Sequence, residues 1–287
     1  MLKKQQGEII LVILLVMAVG LTIGLSVAGR SLTDIKLSTQ VEESSRAFSA
    51  AEAGIEEALK AGISSSAANY QGSTNNATYN VALSSLGGSA SQFTFPNAIP
   101  AGDSQTIWLV PYTETGPDTG TPAYTEGTIT VCWKNITSPP KAALEVSVFY
   151  KGADGIYKIA RAAYDPDNDR VTSQNNGFDN NVAAGSACTD GSSAYDYQVL
   201  LTFGEMSPPA PASGDTLIAL RLRPVYADAK IAVVPAGGAN IPEQGKSIVS
   251  TGQTNSGVTR KWNVVQTYAA PQDIFDYAVW SDKQITK

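Results

Sequence analysis

The hydrophobic pattern of this chain begins with a block rather than a rhythm. From Ile9 to Ala28 it reads IILVILLVMAVGLTIGLSVA, twenty residues without a charge, preceded by Lys3 and Lys4 and closed by Arg30. At ~1.5 Å of rise per residue, a helix of that length crosses a hydrocarbon core of ~30 Å. It has no polar side to turn to water, so the pattern predicts one membrane span. A secretory signal would have a shorter apolar stretch of roughly 7–15 residues and a small-residue cleavage site. This run is longer than that, although Val27-Ala28-Gly29 leaves processing open as an alternative.

After Arg30 the pattern becomes periodic. Leu37, Val41, Ser44, Phe48, Ala51, Ile55 and Ala58 recur at alternating steps of four and three, one stripe of a helix. Glu42 with Arg46, and Glu56 with Lys60, form i,i+4 pairs of the favoured polarity. No proline interrupts, and Gly62 followed by Ser64-Ser65-Ser66 supplies a stop. Ile9 to Lys60 as one helix would measure about 78 Å. Its second half is expected to pack one stripe onto the remainder of the protein through Phe48, Ala51 and Ile55. A membrane helix joined to an ordinary amphipathic core helix is the plainer alternative.

From Asn69 the rhythm shortens to strands broken by turn residues. The expected strands are 79–83, 106–112, 128–134, 143–151, 156–164, 195–203, 216–223, 230–234, 258–268 and 276–280. Within 143–151, Leu144, Val146, Val148 and Tyr150 share one face, and Phe149 breaks the alternation. The fold class is therefore α+β: a long N-terminal helix followed by a mainly antiparallel β domain of one or two sheets, a sandwich being the two-sheet form. The divisions expected are a leader at 1–7, the helix at 8–61, a linker or loop at 62–78 and the β domain at 79–287. The stiff stretch Ser207-Pro208-Pro209-Ala210-Pro211 would split that domain in two.

Composition sharpens the picture. All fifteen prolines lie at or beyond Pro96, so the averages of 43% hydrophobic and 16% charged residues blend two unlike parts. A net charge of −6 argues against nucleic acid as a partner, because phosphates demand a Lys/Arg surplus. The 287 residues contain no histidine, which removes Ser-His-Asp and Cys-His catalysis and histidine-based zinc or haem sites. An enzyme is not expected. Cys132 and Cys188 either form a bridge worth about 4 kcal/mol in the chain-entropy model or remain two buried thiols. Asp165, Asp167 and Asp169 place three carboxylates at alternate positions, a candidate calcium turn. Against it, Arg170 stands where an EF-hand loop needs glycine, and Asx-rich turns commonly form without metal. No other cofactor is indicated. Trp108, Trp133, Trp262 and Trp280 either line a glycan-binding face or fill the β core.

The first sixty residues carry a resemblance. The leader ending in Lys3-Lys4-Gln5-Gln6-Gly7 resembles a prepilin peptidase site, cut between Gly7 and Glu8. The run KQQGEIILVILLVMAVGLTIGLSVAGRS followed by SRAFSAAEAGIEEAL is similar to the PilX-like N-terminal domain of type IV pilin-like proteins. IPEQGKSIVSTG and APQDIFDYAVWS also resemble segments of PilX-like envelope proteins of no assigned activity. The resemblance implies a minor pilin-like subunit of the cytoplasmic membrane or cell surface, with its C-terminal domain outside. Ile9, Leu11, Leu14, Leu15, Gly20 and Gly24 would serve first as membrane anchor and then as packing surface against other pilin-like subunits. One position departs from the family. Main fibre subunits carry a glutamate as the fifth residue after the cut, and here that residue is Val12. The departure shifts the expectation toward a minor, initiating or tip-associated component. The alternative is a single-pass surface adhesin whose β domain holds a surface ligand and never enters a filament.

Overall fold

The computed structural model describes residues 6–62, 70–74, 76–88, 91–207 and 210–272. Helix α1 spans Gln6–Lys60, 55 residues. It starts slightly ahead of the expected boundary at Glu8 and passes Arg30 without a break. The hydroxyls of Thr22, Thr33 and Thr39 donate back to the carbonyls of Val19, Gly29 and Ile35 at 2.8–3.0 Å, so these polar atoms are satisfied within the helix itself.

Eleven strands of four residues or more follow among the described residues. In chain order they are β1 (Tyr70–Thr74), β2 (Ala77–Gly87), β3 (Gln105–Trp108), β4 (Thr128–Asn135), β5 (Ala143–Lys151), β6 (Tyr157–Tyr164), β7 (Tyr197–Thr202), β8 (Thr216–Val225), β9 (Ala229–Pro235), β10 (Glu243–Thr254) and β11 (Thr259–Thr267). One sheet has the order β1-β2-β10-β11. A second is β3-β8-β5-β6. A third is β7-β4-β9, flanked by the two-residue strands Ala183–Ala184 and Phe93–Thr94. Every pair in the second and third sheets is antiparallel. The α+β expectation therefore holds.

The chain forms two compact units. The first holds α1 with residues 70–82 and 248–263; the second holds 83–247 and the described residues from 264. The segment 62–78, expected to be a linker, contains β1 and the start of β2. Its Ser/Asn/Gly composition reads as a loop, yet Gln71↔Asn80 and Ser73↔Thr78 pair in register as a polar outer face. The described residues on either side of 207–211 belong to one unit, 83–247; Pro208 and Pro209 themselves lie outside the described residues. Strand 276–280 and Trp280 also lie outside them.

In the second unit, inward residues of both sheets share one core. Ile129, Val131 and Trp133 of β4 and Ile231 and Val233 of β9 meet Leu144, Val146, Val148 and Tyr150 of β5 and Leu220 and Leu222 of β8. This is a sandwich, and it selects the predicted face of β5. Trp133 is fully buried and its indole N–H donates to the Ala142 carbonyl at 2.9 Å. Phe149, which broke the alternation, packs on the opposite face with Trp108, Val110, Ile218, Ala219 and Tyr268. Both faces of that sheet are covered there, so alternation has no reason to persist. Cys132 and Cys188 are bridged, with Cα atoms 6.2 Å apart and a sequence separation of 56, beside Tyr195 and Ala232.

Candidate functional site, the long helix and its docking sheet

Helix α1 divides into two stretches of opposite character. No residue from 9 to 42 is buried, and fourteen large apolar side chains between Ile9 and Val27 are more than half exposed, Leu14 at 61%. Leaving each in water instead of burying it costs ~1.5–3 kcal/mol, roughly 20–40 kcal/mol in sum. That exceeds the ~5–15 kcal/mol stability of a typical domain, so this surface belongs against lipid or other apolar matter. The helix is long and apolar enough to cross a membrane. Ile9, Leu11, Leu14 and Leu15 all stand on this exposed stretch, and no atom outside the helix comes within 4 Å of where a Cβ on Gly20 or Gly24 would sit. Gly7 and Glu8 lie in the first turns of α1.

From Glu43 onward the helix docks on the sheet β1-β2-β10-β11. Ala47, Ala50, Ala51, Gly54, Ile55 and Ala58 are buried. Residues so small let the helix backbone come close to the strands. A Cβ on Gly54 would fall 2.5 Å from Ser250 Oγ and 2.7 Å from Val81 Cγ2. On the facing strand, a Cβ on Gly252 would strike the carbonyl oxygen of Ala47 and sit 2.7 Å from the Ala51 nitrogen. Of the predicted docking residues, Ala51 and Ile55 are buried, whereas Phe48 is 41% exposed and stacks edge-on against Trp262 with ring centroids 5.2 Å apart. Leu37 and Val41, on the predicted stripe, are exposed. The contact runs instead through the small residues at 47, 50, 51, 54 and 58, whose i, i+3, i+4, i+7 spacing was visible in the sequence but is obscured by reading only large side chains.

Polar contacts fix the rotation of the helix at its point of arrival. Ser256 Oγ donates to the Glu43 carboxylate at 2.7 Å, and Arg260 Nε donates to Ser44 Oγ at 2.9 Å. The Ser256 bond, followed by one from Thr254 and the charge of Arg46, holds the Glu43 carboxyl below its ordinary value against a small desolvation effect. The expected Glu42–Arg46 ion pair forms. The Tyr79 hydroxyl donates to Glu57, and that bond, with burial and the Glu57 charge, pushes its phenol up.

The calcium reading of Asp165, Asp167 and Asp169 is overturned by where these side chains go. Asp165 is fully buried and accepts from Arg170 Nη2 at 2.6 Å and Nε at 2.8 Å, from Asn176 Nδ2 at 2.8 Å and from the Asp167 amide at 2.8 Å. Burial alone would raise its pKa, but these bonds and the Arg170 charge together hold it below the ordinary carboxylate value. Asp167 caps a short helix, α2 (Asn168–Thr172), by accepting from the Asp169 amide. The guanidinium of Arg170, lying 4.3 Å from the Tyr226 ring, takes the position a cation would need. Among the described residues no three metal-ligating side chains converge.

No protein-family model, no curated protein and no solved structure matches this chain. The aromatic glycan face finds little support among the described residues, since Trp108 and Trp133 are core and Trp262 is committed to Phe48.

Proposed function

We propose that this chain is a non-enzymatic minor pilin-like subunit, a structural or assembly component of a type IV pilus-like filament or envelope apparatus. The observation that carries the reading is the contrast within α1: a bare apolar stretch continuous with a stretch clamped to a sheet through alanine and glycine. A plain anchor needs only the first stretch and a tether. A rigid continuation fixes the helix to its docking sheet, which suits a subunit that leaves the bilayer and buries the same apolar surface among neighbouring helices. The Cys132–Cys188 bridge supports placement of the β unit on the oxidising side of the membrane. The resemblance of residues 1–60 to the PilX-like domain supports the same assignment, and the lack of histidine supports a non-catalytic role.

Val12 at the position of the filament glutamate sets the chain apart from main fibre subunits and is equally compatible with a second reading, a single-pass surface binding module that does not polymerise. Mass spectrometry of the mature N-terminus separates the two. The pilin reading expects a chain starting at Glu8 with a methylated amine; a chain retaining Met1 sinks it.

A further inference from the structure

Two Asn-X-Thr sequons occur in the chain, Asn76-Ala77-Thr78 and Asn135-Ile136-Thr137, and as linear motifs they are equivalent. The fold makes them unlike. Asn76 stands in the turn that joins β1 to β2, between Thr74 and Ala77, which pair with each other. Its φ of 57° is the left-handed conformation of a tight hairpin turn, one that asparagine tolerates. The residue is exposed, and its side chain makes no hydrogen bond among the described residues. Ala77 is 1% exposed and Thr78 is exposed, so the middle residue of the sequon faces inward and the hydroxyl outward. That hydroxyl reaches the Gln253 carbonyl only at 3.4 Å, long for an O–H···O bond, and stays available to another partner.

Asn135, the last residue of β4, is spoken for. Its Nδ2 donates to Asp196 Oδ2 and to the Tyr197 hydroxyl, both at 3.3 Å, and its Oδ1 accepts from the Ala142 amide at 2.7 Å. An enzyme that must grip an asparagine amide finds one at 76 and would have to break the fold to obtain one at 135. The ground beside the first sequon also suits a sugar. Thr78 lines a cavity of about 780 Å³ with Gln71, Asn80, Thr251 and Gln253, and no charged side chain borders it. The side chains of Gln71, Asn80, Thr251 and Gln253 make no hydrogen bond among the described residues, which leaves amides and a hydroxyl to meet the hydroxyls of a neutral sugar.

We propose that Asn76 carries an N-linked oligosaccharide, received from a polyprenyl diphosphate-linked donor, and that Asn135 does not. The Asn76 amide nitrogen attacks the anomeric carbon of the donor. The new C–N bond replaces the bond from that carbon to the diphosphate oxygen, polyprenyl diphosphate leaves, and the amide proton passes to a base of the transferase. No oxidation or reduction is involved. The Thr78 hydroxyl is the handle that orients the amide, so both groups must be free at once, as they are here. The site goes beyond the pilin reading and rests on one part of it, the placement of the folded chain outside the membrane, where the Cys132–Cys188 bridge forms.

The test is mass spectrometry of the full chain purified from the membranes of its native host and digested with trypsin without reduction. Cleavage after Lys60, Lys134 and Lys141 puts the two sequons on separate fragments, 61–134 and 135–141. The proposal expects an oligosaccharide on 61–134 and none on 135–141. Asn76→Gly keeps a residue suited to positive φ and should remove the sugar completely without moving the melting midpoint of the sugar-free chain. Thr78→Val, which leaves Asn76 in place, should also remove it, and Thr78→Ser should retain it. A fragment 61–134 at its bare polypeptide mass, a sugar that survives Asn76→Gly or Thr78→Val, or a sugar on 135–141 would each overturn the site. The same spectrum separates this failure from failure of the outside placement: a bare 61–134 still bridged through Cys132 to the fragment bearing Cys188 sinks the site alone, and free thiols at both positions sink the placement with it.

Discussion

Residues 9–42 and 43–60 are consecutive turns of one helix, yet they invert the usual relation between side-chain size and burial. Leu14, Leu15 and Leu25 are exposed to more than half their surface, while Ala47, Ala50 and Ala51 are completely covered. Hydrophobicity alone would have buried the first group. The difference lies in what each stretch meets. The first carries bulk that nothing in the described chain covers, and the second carries almost no bulk because a folded sheet must approach its backbone. Where large apolar side chains drive burial in the β sandwich, closeness of main chains does so at the docking sheet.

That contrast can be broken most forcefully in the bare stretch. Leu14→Arg with Leu15→Arg should cost ~5–7 kcal/mol of membrane insertion, at ~2.5–3.5 kcal/mol for each arginine near the centre of a span. Fractionation would move the variant out of the membrane pellet, and retention there would mean that this stretch is not the span. Next comes the docked stretch. Gly252→Ala should destabilise the first unit by ~1–3 kcal/mol, because its Cβ meets backbone atoms of Ala47 and Ala51 that cannot swing aside. Gly24→Ala is the matched control: nothing lies within 4 Å of its Cβ, so the denaturant midpoint should stay where it is. Equal effects from the two glycines would erase the distinction between the stretches.

Two smaller changes probe the boundary. Phe48→Ala should cost about 1 kcal/mol, in line with an aromatic pair at a half-exposed site, and shift Trp262 emission to the red. The smallest effect is with pH. The carboxyl of Glu43 is held below its unfolded value by Ser256 and Thr254, so its contribution is fully present above the unfolded pKa of ~4.3 and is lost as pH falls through the lower folded value. Amide exchange at residues 43–47 should therefore quicken only in that acidic window, and Glu43→Gln should flatten the dependence.

Much of the architecture was legible wherever one face met one environment. The long apolar helix read clearly because every position of its first stretch is exposed alike, and strand 143–151 read clearly because Leu144, Val146, Val148 and Tyr150 all turn inward. Strand 243–254 escaped notice. Its buried positions are Gln244, Gly245, Lys246, Ile248, Ser250, Gly252 and Thr254, few of which announce a core. At Ser250 and Gly252 smallness matters, since α1 presses there. The calcium turn misled for a different reason. Sequence places Arg170 beside three aspartates but does not say that its guanidinium folds back onto Asp165. The approach of Arg161 and Arg221 to either side of Ser147 was invisible in principle, because it arises only once three strands are in register.

The docking sheet also sets a schedule for the chain. Ser256 and Arg260 hold Glu43 and Ser44 across separations of 213 and 216 residues. Synthesis at ~5–20 residues per second puts roughly 10–40 s between the emergence of the helix base and that of its clamp. Loop closure over such a distance is slow to nucleate. A chain truncated before β10 and β11 would carry its span into the bilayer but lack half of the sheet that grips the helix. Only a chain that already includes β10 and β11 can hold the helix in its final orientation, so the grip on the helix base is a late event in the life of the polypeptide.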